Sequence, residues 1–200
     1  MMLTEAVIRP ARPEDEPALY GICLQTANAG ADATALYSDP DYPGQRFVIP
    51  YVRFAPRFAF VLESGGQVMG YVVAAPDSEV FERALARQWW PALREQYRDR
   101  VAEAPLDDKV LAAIRHPTAP SPALTRRWPA HLHINLLPPA QKGGWGRKLI
   151  ETELDALRQA GIAGVHLGVS LQNEQVCGFY QRLGFEHVLR GNAIYMAQRL

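Results

Sequence analysis

Hydrophobic residues occur along this chain in two patterns, short continuous runs and longer stretches with helical spacing. The most informative stretch begins with an apolar run at 131–137, which predicts a strand that ends at the prolines 138–139. A glycine-rich turn at 141–146 follows. Apolar residues at helical spacing through 149–157 then predict an amphipathic helix. The chain is therefore expected to place a glycine turn between a strand and the start of a helix.

A hairpin is predicted earlier in the chain. The runs at 58–62 and 68–75 are strand-like, and a Ser-Gly-Gly-Gln turn joins them. Both runs are apolar on both faces, so we expect them inside a sheet. Ahead of this hairpin, the pattern predicts a short strand at 6–8, a helix that begins at 12–16 and a second short helix at 45–53 that is kinked at Pro50.

A helical insertion is predicted at about 77–129, before the strand at 131–137. Apolar residues in 77–100 have helical spacing, Pro91 should break this helix, and 106–114 is another helix candidate. After the glycine turn and its helix, the pattern predicts a strand at 165–169, a helix at 173–183 with a left-handed Gly184 after it, and a closing hairpin at 185–189 and 193–197. The order of elements indicates a mixed α/β fold.

Composition narrows the class of protein. The chain has 200 residues, of which 48% are hydrophobic and 21% are charged, values ordinary for a globular protein. Lys plus Arg and Asp plus Glu balance at 21 each, so we expect no nucleic-acid partner. Two cysteines give neither a disulfide framework nor CxxC metal spacing, and we expect no metal. The sequence has no signal-peptide pattern and no apolar run near the ~18 residues of a membrane span, so we expect a cytoplasmic protein without a membrane partner.

The glycine turn suggests an anion site. The first N–H groups of a helix have no partner within the helix, and the helix dipole places partial positive charge there. The GxxxxGK[ST] spacing of a P-loop is absent, and the turn lies outside a repeated βαβ array of the Rossmann type. Strand, glycine turn and helix start therefore predict a site for a pyrophosphate without identifying its nucleotide.

Two motifs together resemble a known family. The pattern Gln141-x-x-Gly144-x-Gly146 is similar to the pyrophosphate loop of the GNAT acetyltransferase superfamily, and the spacing of Asn173, Tyr180 and the Gly-Phe pair at 184–185 is similar to that family's later helix–strand motif. The segments LYSDP (36–40) and HINLLP (133–138) also resemble the acetyltransferase-like domains related to the C-terminal part of O-GlcNAcase. The resemblance implies one domain over 1–200, with a mixed, mostly antiparallel sheet, a splayed central strand pair and flanking helices.

The resemblance also implies a binding mode for acetyl-CoA. The strand that contains Leu136 and Leu137 would diverge from its parallel neighbour at 165–169, and the pantetheine arm would lie in that opening. Tyr180 would act as general acid toward the leaving thiolate, a role that suits its ordinary pKa of about 10. The residues expected to bind the cosubstrate are Leu136, Leu137, Gln141, Lys142, Gly143, Gly144, Trp145, Gly146, Arg147, Lys148, Asn173 and Tyr180.

Several of these residues have a second interpretation. Tyr180 fits a half-buried helix residue, Asn173 fits an N-cap, and Trp145 either covers the cofactor or packs on its helix. His133 is a candidate base, because histidine titrates near neutrality, but a packed or surface histidine has the same signature. Cys177 fits a small buried apolar residue. Spacing identifies no general-base glutamate, and Glu63 and Asp77 are candidates only because they lie at strand ends.

The leading hypothesis is an acetyl-CoA-dependent N-acetyltransferase that acts on a primary amine of a small molecule or peptide. The alternatives are a catalytically inactive acetyltransferase-like module that binds CoA or a protein partner, and a nucleotide-binding α/β domain. The acceptor is expected between the insertion and the polar loop at 30–44, and a homodimer is a further expectation. Acceptor-binding candidates in the loop are Asp32, Thr34, Tyr37 and Asp39.

Overall fold

A seven-stranded sheet organises the computed structural model, which describes residues 3–200. Its strand order is β1-β2-β3-β4-β5-β7-β6, and only β4 and β5 are parallel. The mixed, mostly antiparallel sheet predicted from the resemblance is therefore confirmed. The strands are β1 (Val7–Pro10), β2 (Ala59–Ser64), β3 (Gln67–Ala75), β4 (Ala130–Leu136), β5 (Gly164–Val169), β6 (Glu186–Arg190) and β7 (Ile194–Arg199).

Helices pack on both faces of this sheet. Alternate residues of β3 point to opposite faces, as in any strand. Tyr71 and Val73 belong to one apolar core cluster, which also contains residues of the first six helices. Val72 and Ala74 belong to the other cluster, which is built on α8. The helices are α1 (Glu16–Thr26), α2 (Tyr42–Phe47), α3 (Ile49–Phe54), α4 (Ser78–Gln88), α5 (Trp90–Gln96), α6 (Asp107–Arg115), α7 (Pro122–Thr125), α8 (Trp145–Gln159) and α9 (Cys177–Arg182).

The predicted hairpin forms and lies inside the sheet. Strands β2 and β3 pair with each other, and their outer neighbours are β1 and β4. A strand buried on both faces reads as a continuous apolar run, which explains why the sequence pattern was informative here. Gly70 of β3 lies close to β4, because a Cβ atom there would be 2.9 Å from Leu136 Cδ2.

The central parallel pair is splayed. Strands β4 and β5 pair only at Ala130 with Val165 and at His131 with His166. Beyond His131, β4 continues beside β3 as far as Leu136, whereas β5 continues beside β7 as far as Val169. The two strands therefore diverge toward their C-terminal ends and leave an opening between them.

The prolines act differently from the prediction. Pro91 was expected to break a helix, but the break falls at Trp89 and Pro91 lies in the first turn of α5. The kink expected at Pro50 falls at Val48, and Pro50 lies in the first turn of α3. Both expectations were wrong for one reason. The N–H groups in the first turn of a helix have no acceptor within the helix, so proline, which lacks the N–H, is tolerated there.

The helix predicted at 173–183 is divided in two. A 3-10 helix covers Leu171–Val176, and α9 follows it. Ser170 caps the 3-10 helix by accepting from the N–H of Gln172, so the N-cap interpretation of Asn173 is wrong. Asn173 has φ −128° and ψ 35°, which is not helical. Gly184 has φ +96°, which confirms the predicted left-handed residue after the helix.

No helix described within residues 3–200 combines the length and the apolar character needed to cross a membrane.

Candidate functional site

A cleft of about 880 Å³ lies where β4 and β5 diverge. Its walls include β4 from Leu132 to Leu136 and β5 from Leu167 to Val169. Another side is formed where α1 ends and the following loop begins, by Thr26, Ala27 and residues 29–31. The glycine turn lies at one end, and Phe179 and Tyr180 of α9 complete the wall. The two motifs found in the sequence therefore border the same cleft.

The glycine turn presents unpartnered backbone donors. Gly143 and Gly144 have φ +94° and +80°, a region that favours glycine. Gly144 is the N-cap of α8, and the first backbone bond after it runs from Lys148 N to Gly144 O. The six N–H groups of 142–147 donate to no other residue in the described part of the chain. Consecutive free N–H groups at the start of a 15-residue helix form a site that can bind a phosphate group.

The rest of the turn is held by packing and by one side-chain bond. A Cβ atom on Gly146 would lie 3.3 Å from Phe179 Cζ and 3.4 Å from Leu136 Cδ1, so a small residue lets the helix start approach the cleft wall. Gln141 donates from Nε2 to the Leu136 carbonyl at 3.0 Å and also lines the cleft. Leu137, in contrast, does not line the cleft and packs against the core cluster that contains Tyr71 and Val73.

The side chains of 142–148 differ in where they lie. Arg147 lines the cleft and pairs with Glu151 at 2.7 Å on the exposed helix surface. Lys148 places its Nζ 4.3 Å from the centroid of the Trp145 ring. Trp145 itself packs against the core cluster on its own helix and does not line the cleft. The backbone of this segment, more than its charged side chains, therefore faces the cleft.

Tyr180 and Asn173 both line the cleft. The Tyr180 ring lies 5.1 Å from Phe179 and 5.9 Å from Phe185, centroid to centroid. Burial raises the pKa of the Tyr180 phenol to about 12, and the neighbouring Cys177 adds to this rise, so the phenol is protonated at neutral pH. Asn173 accepts a 2.7 Å bond from Gln175, and its amide lies near Gly30, where a Cβ would be 3.9 Å from Asn173 Nδ2.

A chain of hydrogen bonds fixes the tautomer of His133. Ser78 donates its only hydroxyl proton to the Pro129 carbonyl at 2.7 Å. Ser78 Oγ therefore accepts from His131 Nδ1, which lies 2.6 Å away. His131 Nε2 is then an acceptor, and the Tyr51 hydroxyl donates to it at 2.6 Å. The Tyr51 oxygen accepts in turn from His133 Nε2 at 3.0 Å. The Nδ1 atom of His133 is left as an unprotonated acceptor.

His133 lines the cleft and carries no charge at pH 7. Burial lowers the pKa of His133 to about 4, and Arg46 and His166 add to the effect. Burial also lowers the pKa of His131 well below its usual value. A neutral imidazole with a free ring nitrogen can accept a proton or a hydrogen bond from a group in the cleft.

Three imidazoles lie close together without forming a metal site. The His131 ring centroid is 5.9 Å from that of His133 and 5.6 Å from that of His166. His166 Nδ1 bonds the Trp128 carbonyl at 2.8 Å, which occupies one ring nitrogen. Among residues 3–200, no group of three or more His, Cys, Asp or Glu side chains is arranged to hold a metal ion.

The acceptor candidates of the loop at 30–44 do not line the cleft. Asp32 accepts from the Thr34 hydroxyl at 2.6 Å, a local turn interaction. Asp39 pairs with Arg100 at 3.1 Å, and Tyr37 packs against the core. The part of the loop that reaches the cleft is its beginning, at Gly30 and Ala31, next to Ala29.

Two residues of the site escaped the sequence analysis. Tyr51 bridges His131 and His133, and Ser78 bonds His131, but the two residues lie 80 and 53 positions from His131. One signal was available: His131 and His133 are two apart on a strand, so their side chains share a face. The tyrosine and serine that hold them come from separate helices, and no spacing in the chain indicates that meeting.

Comparison with known proteins agrees with this geometry. The family model described as "Acetyltransferase (GNAT) family" matches residues 29–185. The crystal structure of SsHAT is 37% identical with a TM-score of 0.90, covering 97% of this chain and 98% of that one. A GNAT family acetyltransferase from Brucella melitensis in complex with acetyl-CoA shares the fold, with 20% identity, a TM-score of 0.54 and coverage of 98% and 88%.

Protein O-GlcNAcase of Rattus norvegicus is also similar, at 22% identity over 180 residues. The match covers 88% of this chain and 20% of the relative, so the chain spans about a fifth of that protein's length.

Proposed function

Since the chain belongs to the acetyltransferase (GNAT) family, we propose that it is an acetyl-CoA-dependent N-acetyltransferase that transfers an acetyl group directly to a primary amine of a small molecule or peptide. The observation that supports this best is the cleft between β4 and β5. It joins a row of free backbone donors at 142–147 to a protonated phenol, Tyr180, and to an unprotonated ring nitrogen of His133.

The cleft suits the parts of acetyl-CoA. The free N–H groups of 142–147 would bind the pyrophosphate, with Arg147 beside them. The opening between the diverging strands would take the pantetheine arm, next to Leu136 and Asn173. The thioester would then lie toward Tyr180 and His133, where the residues of the site can act on it.

Two side chains divide the proton transfers. Acetyl-CoA supplies the thioester carbonyl that the amine attacks. His133 Nδ1 takes the proton that the amine nitrogen loses as the N–C bond forms. Tyr180 hydrogen-bonds the departing sulfur and gives it a proton as the C–S bond breaks. The proton held by His133 returns through water to Tyr180, so the products are the amide and free CoA thiol.

Two measurements test this proposal. Calorimetry with acetyl-CoA should detect binding, and no binding at millimolar ligand would overturn the proposal. Release of CoA thiol across a panel of primary amines should exceed the rate without amine, which serves as the control. Tight acetyl-CoA binding with no amine-dependent release would instead support a catalytically inactive CoA-binding module.

A further inference from the structure

A second cavity, called here the side pocket, adjoins the cleft. It has a volume of about 200 Å³, and Phe47 and His133 line both cavities. Its remaining walls come from α3, α4, α5, α6 and the loop residues 117–118, with Tyr51, Phe81 and Trp90 as aromatic sides. A molecule in the side pocket would therefore have access to the ring of the proposed base.

The side pocket contains two opposite charges, and neither forms a direct ion pair with a residue in the described part of the chain. Arg46 and Glu82 both line it and are both only partly exposed. Neither belongs to an ion pair or a side-chain hydrogen bond between residues in the 3–200 range. The Arg46 guanidinium carbon lies 4.8 Å from the centroid of the Phe47 ring, where the two cavities meet. Charges withdrawn from water without a partner are costly, and a ligand of complementary charge would remove that cost.

A buried donor in the same pocket also lacks a partner. The Trp90 side chain is 4% exposed, and its Nε1–H makes no hydrogen bond within the part of the chain that the structure describes. The indole lies close enough to Glu82 to oppose the rise that burial causes in the pKa of that carboxyl, but without hydrogen-bond geometry. An unpaired buried N–H is rare in folded proteins and marks a place where a ligand oxygen would be stabilised.

We propose that the side pocket binds the headgroup of a free diamino acid whose side-chain amine is the one acetylated. Arg46 and the Trp90 N–H suit the carboxylate, and Glu82 suits the α-ammonium. An ammonium held by a carboxylate stays protonated and cannot attack a thioester, so the reactive amine is the second one, which reaches His133. This inference rests on the proposed function, whose amine acceptor it identifies by class.

Ligand binding to the unaltered protein provides the first test. Calorimetry compares L-ornithine and L-lysine with putrescine and cadaverine, which lack the carboxylate, and with Nα-acetyl-L-ornithine, which lacks the α-ammonium. We expect the two diamino acids to bind at least about tenfold more tightly than either kind of analogue. Equal affinities across the series, or no binding of the diamino acids at millimolar concentration, would overturn the inference.

Two variants and a control provide the second test. Arg46→Met should abolish the preference over cadaverine, and Glu82→Gln should abolish the preference over Nα-acetyl-L-ornithine. Arg83→Met, an exposed change next to Glu82 on α4, should retain both preferences. Preferences that survive both pocket variants would contradict the assignment.

The titrations are repeated with and without acetyl-CoA. Diamino-acid binding without acetyl-CoA binding would support the side pocket as a headgroup site and refute the proposed function. Acetyl-CoA binding and turnover of simple amines without headgroup selectivity would refute only the side pocket. Should a variant fail to fold, judged by circular dichroism, the ligand series on the unaltered protein still decides.

Discussion

Tyr180 has an environment that keeps it a proton donor, since its pKa of about 12 lies far above neutral pH. We expect Tyr180→Phe to lower kcat by ~100-fold, the scale of general-acid contributions, and to leave the Kd of acetyl-CoA unchanged. Steady-state kinetics and calorimetry measure the two quantities. Tyr195→Phe is the control, because that hydroxyl donates to Asn192 Oδ1 at an exposed position. Full activity in Tyr180→Phe would show that the Tyr180 hydroxyl is not the general acid.

In the proposed mechanism Tyr51 would act through His133, because its hydroxyl oxygen accepts the Nε2–H of that ring. Among residues 3–200, the bond that Tyr51→Phe removes is the one side-chain bond that selects the tautomer of His133, and we expect kcat to fall by ~10-fold with little change in KM. Leaving two buried ring nitrogens unpaired should also cost about 1–3 kcal/mol of stability. Nitrogen NMR shifts of His133 should report a mixture of tautomers, and a single unchanged tautomer would contradict the positioning role.

Gly143 and Gly144 could be proposed from the sequence for the anion site, because the turn depends on a backbone conformation that favours glycine. The role of Tyr180 could be proposed because its spacing from Asn173 and the Gly-Phe pair resembles a motif of the family. Sequence analysis could not choose between the two interpretations of His133, since that choice depends on Tyr51 and Ser78 from other elements. When the role of a residue depends on partners from distant parts of the chain, its position in the sequence does not indicate that role.

Helix α8 offers a matched test of the glycine turn, because a left-handed glycine stands near each of its ends. Gly144 has φ +80° and Gly161 has φ +74°, and a Cβ atom at either meets nothing within 4 Å. Leucine at either position should therefore cost similar stability, about 1–2 kcal/mol. Only Gly144→Leu should raise the Kd of acetyl-CoA, at least ~10-fold, the equivalent of ~1.4 kcal/mol. Equal acetyl-CoA affinities in the two variants would contradict pyrophosphate binding at this turn.

Helix α8 also carries the buried carboxyl group of Glu153. Glu153 is 0% exposed, and neither carboxyl oxygen has a hydrogen-bond partner among residues 3–200. Burial raises the pKa of Glu153 well above its usual value, so the folded protein holds a proton that the unfolded chain releases above about pH 4.5. This linkage lowers the free energy of unfolding as pH rises from there.

Replacement of Glu153 should therefore stabilise the protein. We expect Glu153→Leu, which keeps the side-chain volume similar, to raise the free energy of unfolding at pH 7 by about 1–3 kcal/mol. Urea denaturation measures it, and Asp155→Leu on the exposed side of α8 is the control. A destabilised Glu153→Leu protein would indicate that the carboxyl has a partner or a role.

At the element scale, the sequence predicted where strands lie better than where helices break. Strands β2 and β3 were recognisable because burial on both faces leaves few polar positions. The helix breaks at Val48 and Trp89 were not recognisable, because a proline looks the same at the start of a helix as within one. Tertiary packing decides which position it takes.

At the scale of the whole molecule, the order of elements predicted a mixed α/β fold, and the family resemblance carried by two motifs implied the sheet and its splayed strand pair. The side pocket could not be predicted, because α2 and α3 meet the helical insertion there across long separations in the chain. Arg46, Glu82 and Trp90 have no common spacing, and only the packing of these helices brings them to one cavity.

The three central histidines should make the stability of the whole fold depend on pH. Burial lowers the pKa of His131 and His133, and also that of His166, below the ordinary 6.5. Between pH 6.5 and about 4, the unfolded chain therefore binds more protons than the folded protein. The free energy of unfolding falls as pH falls through this window, because protons favour the state that binds more of them.

The size of this effect can be measured once the opposing carboxyl is removed. Glu153 titrates with the opposite sign in part of the same window, so Glu153→Gln is the reference background. His133, with its pKa of about 4, should alone contribute a loss of about 2 kcal/mol between pH 7 and pH 5. Adding His133→Gln should flatten the pH dependence of urea-denaturation midpoints by about one proton, whereas His187→Gln, at an exposed position, should leave it unchanged. An equal pH dependence of the midpoints with and without His133 would mean that its imidazole is solvated and charged in the folded protein. His133 would then not be the neutral base of the proposed mechanism.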